Sequence, residues 1–258
     1  MSSLIWTRAA LSSELRRIDG LCWRLVEAQH RVSTLKLTDT IAEQVLLEEL
    51  IEATKPVVPP ECRYLDFLLA TPFRYGAPYP VGSRFRRAGR TLGVYYAAEA
   101  PRTAVAEMAF YRLLFFAESP ETPWPSDAGE YTAFSAALAT DRLLDLTAEP
   151  LCSDEVLWTD PTDYSACQAL ADEARGADVD VIRYRSVRDP GGGANLAILV
   201  CRAFARPAPI ERQTWRMRLS ASGVQALCEF PKQAIEFPRD AFAADPRIAA
   251  LGWDRGRS

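Results

Sequence analysis

The sequence predicts an α+β fold in which a mixed-sheet core carries an N-terminal helical extension. Three observations lead there. The first third has helical periodicity, strands and helices then alternate irregularly from about residue 66, and no regular βαβ repeat or internal duplication occurs. With 258 residues, 48% of them apolar and 25% charged, the chain can bury a sizeable core, which excludes disorder as its main state.

Ser12, Ser13 and Glu14 offer N-cap groups, and Leu15, Ile18, Cys22, Leu25 and Val26 follow at helical spacing, predicting a first helix that runs to Arg31. A second helix is expected over 40–54, with Ile41, Val45, Leu46 or Leu47, and Leu50 facing inward. It stops before Lys55-Pro56, because a residue preceding proline resists the helical region. These elements give an extension over residues 1–65, followed by a core domain over 66–230 and a C-terminal tail or closing helix over 231–258. Gly256, Arg257 and Ser258 are expected to fray.

Within the core, Thr91–Ala97 reads as a strand, and Pro101 begins a helix that runs through Phe116. Tyr131–Leu138 and Arg142–Leu146 read as strands, Thr162–Arg175 as a helix, and Val179–Tyr184 and Leu196–Cys201 as further strands. Gln213–Ser220 and Gly223–Phe230 form a closing hairpin.

Composition excludes several functions. Lys and Arg number 30 against 34 Asp and Glu, a net charge of −4, which suits a grip on long nucleic acid poorly. The single histidine, His30, rules out multi-histidine metal centres, and six cysteines without a CxxC pair fit neither a zinc site nor a disulfide scaffold. Buried free thiols point to a reducing compartment. No apolar signal core follows Met1, and no stretch approaches the roughly 18 apolar residues of a membrane span, so a soluble cytoplasmic protein is expected.

Three clusters carry chemistry. Glu107 shares a largely apolar helical face with Thr103, Phe110 and Leu114, where a carboxylate must be paired or line a cavity. A structural ion pair with a nearby arginine is the plainer account. Phe73-Arg74-Tyr75 and Ser83-Arg84-Phe85-Arg86-Arg87 interleave guanidinium forks with aromatic rings, suiting a phosphate-bearing ligand with a flat ring. For Arg86, Arg87 and Arg90 a solvated basic loop is the favoured reading. Arg185-Ser186-Val187-Arg188 precedes Gly191-Gly192-Gly193 and Asn195, a loop able either to approach a ligand or simply to turn a hairpin. Rossmann, P-loop and nucleophile-elbow motifs are missing from the sequence.

Taken in order, P-F-R-Y, S-R-F-R, G-V-Y-Y-A-A-E-A-P-R-T-A-V-A-E, Y-S-A-C-Q-A-L-A and R-Y-R-S-V-R-D-P-G-G-G-A-N-L-A-I-L resemble the RES-domain family over roughly residues 72–200. The most specific block places Tyr96 eleven residues before Glu107, from a strand end to a helix. The resemblance implies a fold similar to the ADP-ribosylating toxins. It also implies a toxin of a bacterial toxin–antitoxin pair that binds NAD⁺ as substrate, without metal, and breaks its nicotinamide–ribose bond. The acceptor of ADP-ribose would be phosphate, water or a protein.

On that basis Arg74 and Arg84 are expected to grip phosphates and ribose, Tyr75 or Tyr96 to stack on or orient nicotinamide, and Glu107 to face the developing ribose cation. Ser186 and Asn195 would bond the ligand or fix a loop. Arg74, Tyr96 and Glu107 are thus the catalytic candidates. The expected partner is an antitoxin with a helix-turn-helix DNA-binding part, whose C-terminal segment blocks the NAD⁺ site. No direct contact of this chain with nucleic acid or membrane is expected. Phe85 stands where minimal members often carry tryptophan, and the first 65 residues have no counterpart in the shortest members. Completing the core, forming a homodimer interface and docking the antitoxin are the roles open to them. The alternative function is a non-catalytic NAD- or antitoxin-binding module.

Overall fold

The computed structural model describes residues 6–27, 37–76, 80 and 82–255. It is α+β, with eight strands in one mixed sheet: β1 (Leu15–Glu27), β2 (Tyr95–Ala98), β3 (Gly129–Asp145), β4 (Val181–Arg185), β5 (Ala194–Ile198), β6 (Arg212–Ser220), β7 (Gly223–Cys228) and β8 (Gln233–Pro238). The strand order is β1-β2-β5-β4-β3-β6-β7-β8, with β1 also pairing β3. That second pairing closes β1, β2, β5, β4 and β3 into a ring, from which β6, β7 and β8 extend as an antiparallel meander.

The predicted first helix is corrected. Only α1 (Arg8–Ser13) is helical, and Leu15–Glu27 is a strand that pairs antiparallel with β3 from Leu15↔Leu144 to Glu27↔Tyr131. Its second half is buried from both sides: Cys22 joins the cluster around Tyr95 and Phe134, while Trp23 and Leu25 join the cluster around Phe110 and Trp215. A strand covered on two faces needs apolar residues in near-continuous succession, and Leu21-Cys22-Trp23-Arg24-Leu25-Val26 satisfies that as well as it satisfies helical spacing. The expected continuation to Arg31 lies outside the described residues, as do the expected frayed end at 256–258 and the first five residues.

Helix α2 (Ile41–Thr54) begins at a capping box in which Thr40 and Glu43 bond each other's backbone. Its orientation reverses the expectation: Ile41, Val45, Leu46 and Leu50 are all exposed, and no residue of the helix is buried. Ion pairing of Glu52 with Arg74 at 2.7 Å, rather than an apolar seam, ties it to α3 (Phe67–Arg74).

Helix α4 (Pro101–Glu118) starts with Pro101 at its first position and buries Thr103, Ala104, Val105, Ala106, Ala109, Phe110, Leu113 and Phe116. It covers β1 and the inner face of the meander, where Trp215, Met217, Val224 and Phe237 pack. On another side of the ring, α6 (Ser165–Gly176) packs beside α1 and the short α5 (Glu155–Trp158), around Phe85, Leu144, Ile182 and Tyr184. The two strands expected over 131–146 are one continuous strand, β3, because its first half serves β6 and its last residues, Leu143–Asp145, pair in parallel with β4. Beyond the expected hairpin, β8 adds a third strand and α7 (Pro246–Ala249) returns to α4. No helix among the described residues is long and apolar enough to cross a membrane.

Two glycines separate steric from conformational demands. A Cβ on Gly93, just before β2, would run into the Pro72 carbonyl and lie 3.0 Å from the Phe73 Cα, whereas one on Gly20 in β1 would meet nothing within 4 Å. Gly93→Ala should therefore cost about 1–3 kcal/mol by overpacking. Gly20→Ala should shift stability by about 1 kcal/mol or less. Urea unfolding midpoints of the two variants test the contrast.

Candidate active site

A cavity of about 450 Å³ opens where β1, β2, α4 and the β4–β5 hairpin meet. Glu107 lies on its wall, in the second turn of α4, and its Oε1 accepts hydrogen bonds from Ser186 Oγ and Asn195 Nδ2, both at 2.6 Å. Ser186 Oγ itself accepts the backbone N–H groups of Arg188 at 3.2 Å and Asp189 at 3.0 Å. Two incoming N–H donors leave the serine proton for Glu107, so the direction of this relay is fixed. The amide of Asn195 is likewise fixed, since a carboxylate can only accept from its nitrogen. Asn195 Oδ1 is buried without a hydrogen-bond partner, and Glu107 Oε2 accepts nothing from the described residues.

The triple-glycine loop serves this arrangement indirectly. Gly191 and Gly192 donate their N–H groups to Asp189, Gly192 takes a positive φ of 71°, and the Gly193 carbonyl receives Ser186 N at 2.8 Å. Thr103 Oγ1 of α4 donates to Asp189 Oδ2 at 2.7 Å, so the loop is locked onto the helix that carries Glu107. The hairpin-turn reading thus holds for these glycines, none of which lines the cavity.

The structure brings Arg84, Tyr96, Glu107 and Asn195 together on the cavity wall, and Ser186 stands immediately behind Glu107. Tyr96 OH is hydrogen-bonded to Ser83 Oγ at 2.8 Å and accepts the Phe85 N–H at 3.0 Å. Arg84 is buried, donating Nη1 to the Trp158 carbonyl at 2.7 Å and Nη2 to the Asp160 carbonyl at 2.8 Å, with its guanidinium 4.6 Å from the Tyr164 ring centre. Arg74 and Tyr75 are not brought to the cavity. Arg74 turns to Glu52 and donates to the Pro56 carbonyl, because α3 ends there and points its last side chain at α2. Arg86, expected in a solvated loop, is instead buried and bonds the carbonyls of Tyr75 and Gly76.

Sequence reasoning did not single out several lining residues as site residues: Trp23 and Arg24 from β1, Tyr111, Tyr164, Tyr184 and Arg247. Tyr111 was within reach, being one helical turn from Glu107. Arg24 and Arg247 arrive through long-range pairing and carry no local signal. Among the described residues the cavity wall holds four guanidiniums, of Arg24, Arg84, Arg188 and Arg247, against the single lining carboxylate of Glu107 and that of Asp245 just behind. Burial, followed by the charge of Glu107, pushes the Tyr184 phenol well above its ordinary value, and burial also raises Tyr96, so both hydroxyls stay neutral well into the alkaline range.

Residues 58–220 match the RES domain family. The chain belongs to that family. The match includes Arg84, Tyr96, Glu107, Ser186 and Asn195, while Trp23, Arg24 and Arg247 lie outside it. Among solved structures the RES-domain chain is similar to one in the crystal structure of the M. tuberculosis MbcT-MbcA toxin-antitoxin complex. The identity is 13% over 94% of this chain and 98% of that chain, with a TM-score of 0.45. No curated protein matches.

The raised phenols set an alkaline limit on stability. An unfolded tyrosine ionises near pH 10 and Tyr184 in the fold only well above that, so the unfolded state sheds its proton first. The contribution of Tyr184 is therefore full below about pH 10 and is lost as the pH climbs through its raised value. Tyr184→Phe should make the fall of the urea midpoint above about pH 10 shallower than in wild type. Identical slopes would mean that Tyr184 contributes nothing to it.

Proposed function

We propose that this RES-family protein is a toxin of a toxin–antitoxin pair that takes NAD⁺ as substrate and breaks its nicotinamide–ribose bond. The observation that carries the proposal is Glu107, with one oxygen pinned by Ser186 and Asn195 and the other unbonded, in a cavity with an excess of arginine. NAD⁺ pairs an anionic pyrophosphate with a cationic nicotinamide, and the wall offers guanidiniums for the former and a carboxylate for the latter. The cavity's size falls in the range of roughly 300–1,000 Å³ usual for small-ligand sites.

In the reaction the C1′–N bond breaks and its electron pair leaves with nicotinamide, which departs neutral. A new C–O bond then forms at C1′ from the acceptor, whose proton passes to solvent. Glu107 Oε2 faces the cation that develops at the ribose, where a fixed carboxylate in a poorly solvated cleft is most effective. Ser186 and Asn195 keep it from rotating away. Tyr96, itself held by Ser83 and the Phe85 N–H, offers a ring to the nicotinamide end. Arg84, already committed to two carbonyls, contributes charge more than free donors. The acceptor (phosphate, water or a protein side chain) is whichever enters the open side of the cavity. An antitoxin segment laid into the same opening would hold the enzyme inactive. The competing reading, a non-catalytic NAD- or antitoxin-binding module, draws support from Arg74, which the fold directs away from the cavity.

NAD⁺ loss measured with purified protein, with and without phosphate, tests the proposal. Wild type should consume NAD⁺, Glu107→Gln should lower kcat about 100- to 1,000-fold at an unchanged melting temperature, and Ser186→Ala should fall between them. Wild-type turnover by a folded Glu107→Gln would overturn it. If wild type leaves NAD⁺ intact but labels a host protein with ADP-ribose, the acceptor is a protein.

A further inference from the structure

The C-terminal segment, outside the residues that match the family, folds back onto the cavity and places a charged cluster in its wall. Asp245 is almost fully buried and precedes α7, accepting the Arg247 N–H at 3.0 Å. Its two oxygens also receive Arg247 Nε at 3.0 Å and Nη2 at 2.8 Å. From the β4–β5 hairpin, the buried Arg188 brings Nη1 to 3.1 Å from Asp245 Oδ2, without the alignment of a hydrogen bond. Both guanidiniums lie over the Phe110 ring, at 4.0 Å for Arg188 and 5.8 Å for Arg247, and Phe110 is one helical turn from Glu107.

We infer that Arg188 and Arg247, aimed by Asp245, form an anion subsite of the cavity that takes phosphoryl oxygens. The inference rests on reading the cavity as the NAD⁺ site and deepens it. Two guanidiniums contact one carboxylate, and Glu118 acts on Arg247 only from beyond ion-pair distance, which leaves positive charge in excess at the contact for a bound anion. Arg247 spends Nε and Nη2 on Asp245, and its Nη1 has no hydrogen-bond partner among the described residues. Its side chain is 39% exposed while those of Arg188 and Asp245 are 3% and 2%, so Arg247 is the member that reaches a ligand and the other two position it and supply field. Arg188 is anchored from behind through Nη2 to the Pro161 carbonyl at 2.7 Å and Tyr164 OH at 3.2 Å. A role limited to capping α7 would explain the Asp245–Arg247 pair but not the second, buried guanidinium on the same carboxylate.

Phosphoryl oxygens reach this subsite from two sources: the pyrophosphate of the dinucleotide, or free inorganic phosphate serving as acceptor. The experiment titrates sodium pyrophosphate and, separately, inorganic phosphate into the full-length protein by calorimetry, for wild type, Arg247→Gln and Arg247→Lys. It also measures KM for NAD⁺ and for phosphate. Arg247→Gln should weaken anion binding at least tenfold and raise KM in step, with the melting temperature nearly unchanged. Arg247→Lys should fall between it and wild type, and carries the test alone if the glutamine variant does not fold. A rise confined to KM for NAD⁺ assigns the subsite to the dinucleotide, and one confined to KM for phosphate assigns it to the acceptor. Anion binding equal to wild type, with both KM values within twofold, would overturn the inference while leaving NAD⁺ cleavage intact. Arg247-dependent pyrophosphate binding by a protein that never consumes NAD⁺ would instead sink the proposed reaction and keep the subsite.

Discussion

The ladder between β1 and β3 is the constraint on which the rest of the molecule depends. Without it the sheet is an open row; with it, β1 lies across the ring and offers its other edge to β2 through Trp23↔Ala98. That single bridge sets where β2 ends, and α4 begins three residues later at Pro101. The second turn of α4, and so Glu107, is therefore positioned by a strand lying more than 70 residues earlier in the chain. The same strand places Trp23, Arg24 and Leu25 directly in the cavity wall. A break in this ladder would act on the site from two directions at once.

What was legible in the sequence follows from how local each contact is. Tyr96 and Glu107 sit on consecutive elements joined by a short turn, and Ser186 and Asn195 on the two arms of one hairpin, so their spacing alone nearly fixes their meeting. Their convergence on one carboxylate oxygen is a tertiary fact, but between two short-range units. Arg74 failed for the opposite reason. Its motif is local, yet the direction of its side chain depends on α2, whose packing the periodicity misjudged. Arg24 and Arg247 were beyond reach, because nothing near them in sequence distinguishes them from the other arginines on the surface. The first 27 residues show the limit of periodicity itself: a strand buried on both faces and an amphipathic helix can present the same apolar positions.

Helix α2 is the element with the weakest local support. Fourteen residues are marginal as an isolated helix in water, and this one buries none of its side chains. Its capping box and the Glu52–Arg74 pair hold the ends, but exposed ion pairs contribute at most about 1 kcal/mol each. Opening of α2 should thus precede loss of the ring, whose β1–β3 ladder runs through two apolar clusters.

The choice of partners for Glu107 explains how orientation and charge can be separated in one site. An arginine would have oriented this carboxylate more strongly, but it would also have cancelled the negative field that a developing cation requires. Ser186 and Asn195 are neutral donors, so they fix the geometry and leave the charge in place. The cations nearby are restrained by other groups. Arg188 and Arg247 answer to Asp245, Arg84 to backbone carbonyls and the Tyr164 ring, and Arg183, two residues before Arg185 on β4, to Glu99 and Asp145. No ion pair joins Glu107 to any of them among the described residues. Neutral donors alone do not mark a functional carboxylate: the more deeply buried Asp189 is held in the same way, by Thr103 Oγ1 and the Gly191 N–H. What sets Glu107 apart is its place on the cavity wall with Oε2 left unbonded among the described residues, so that its charge is turned to the open space.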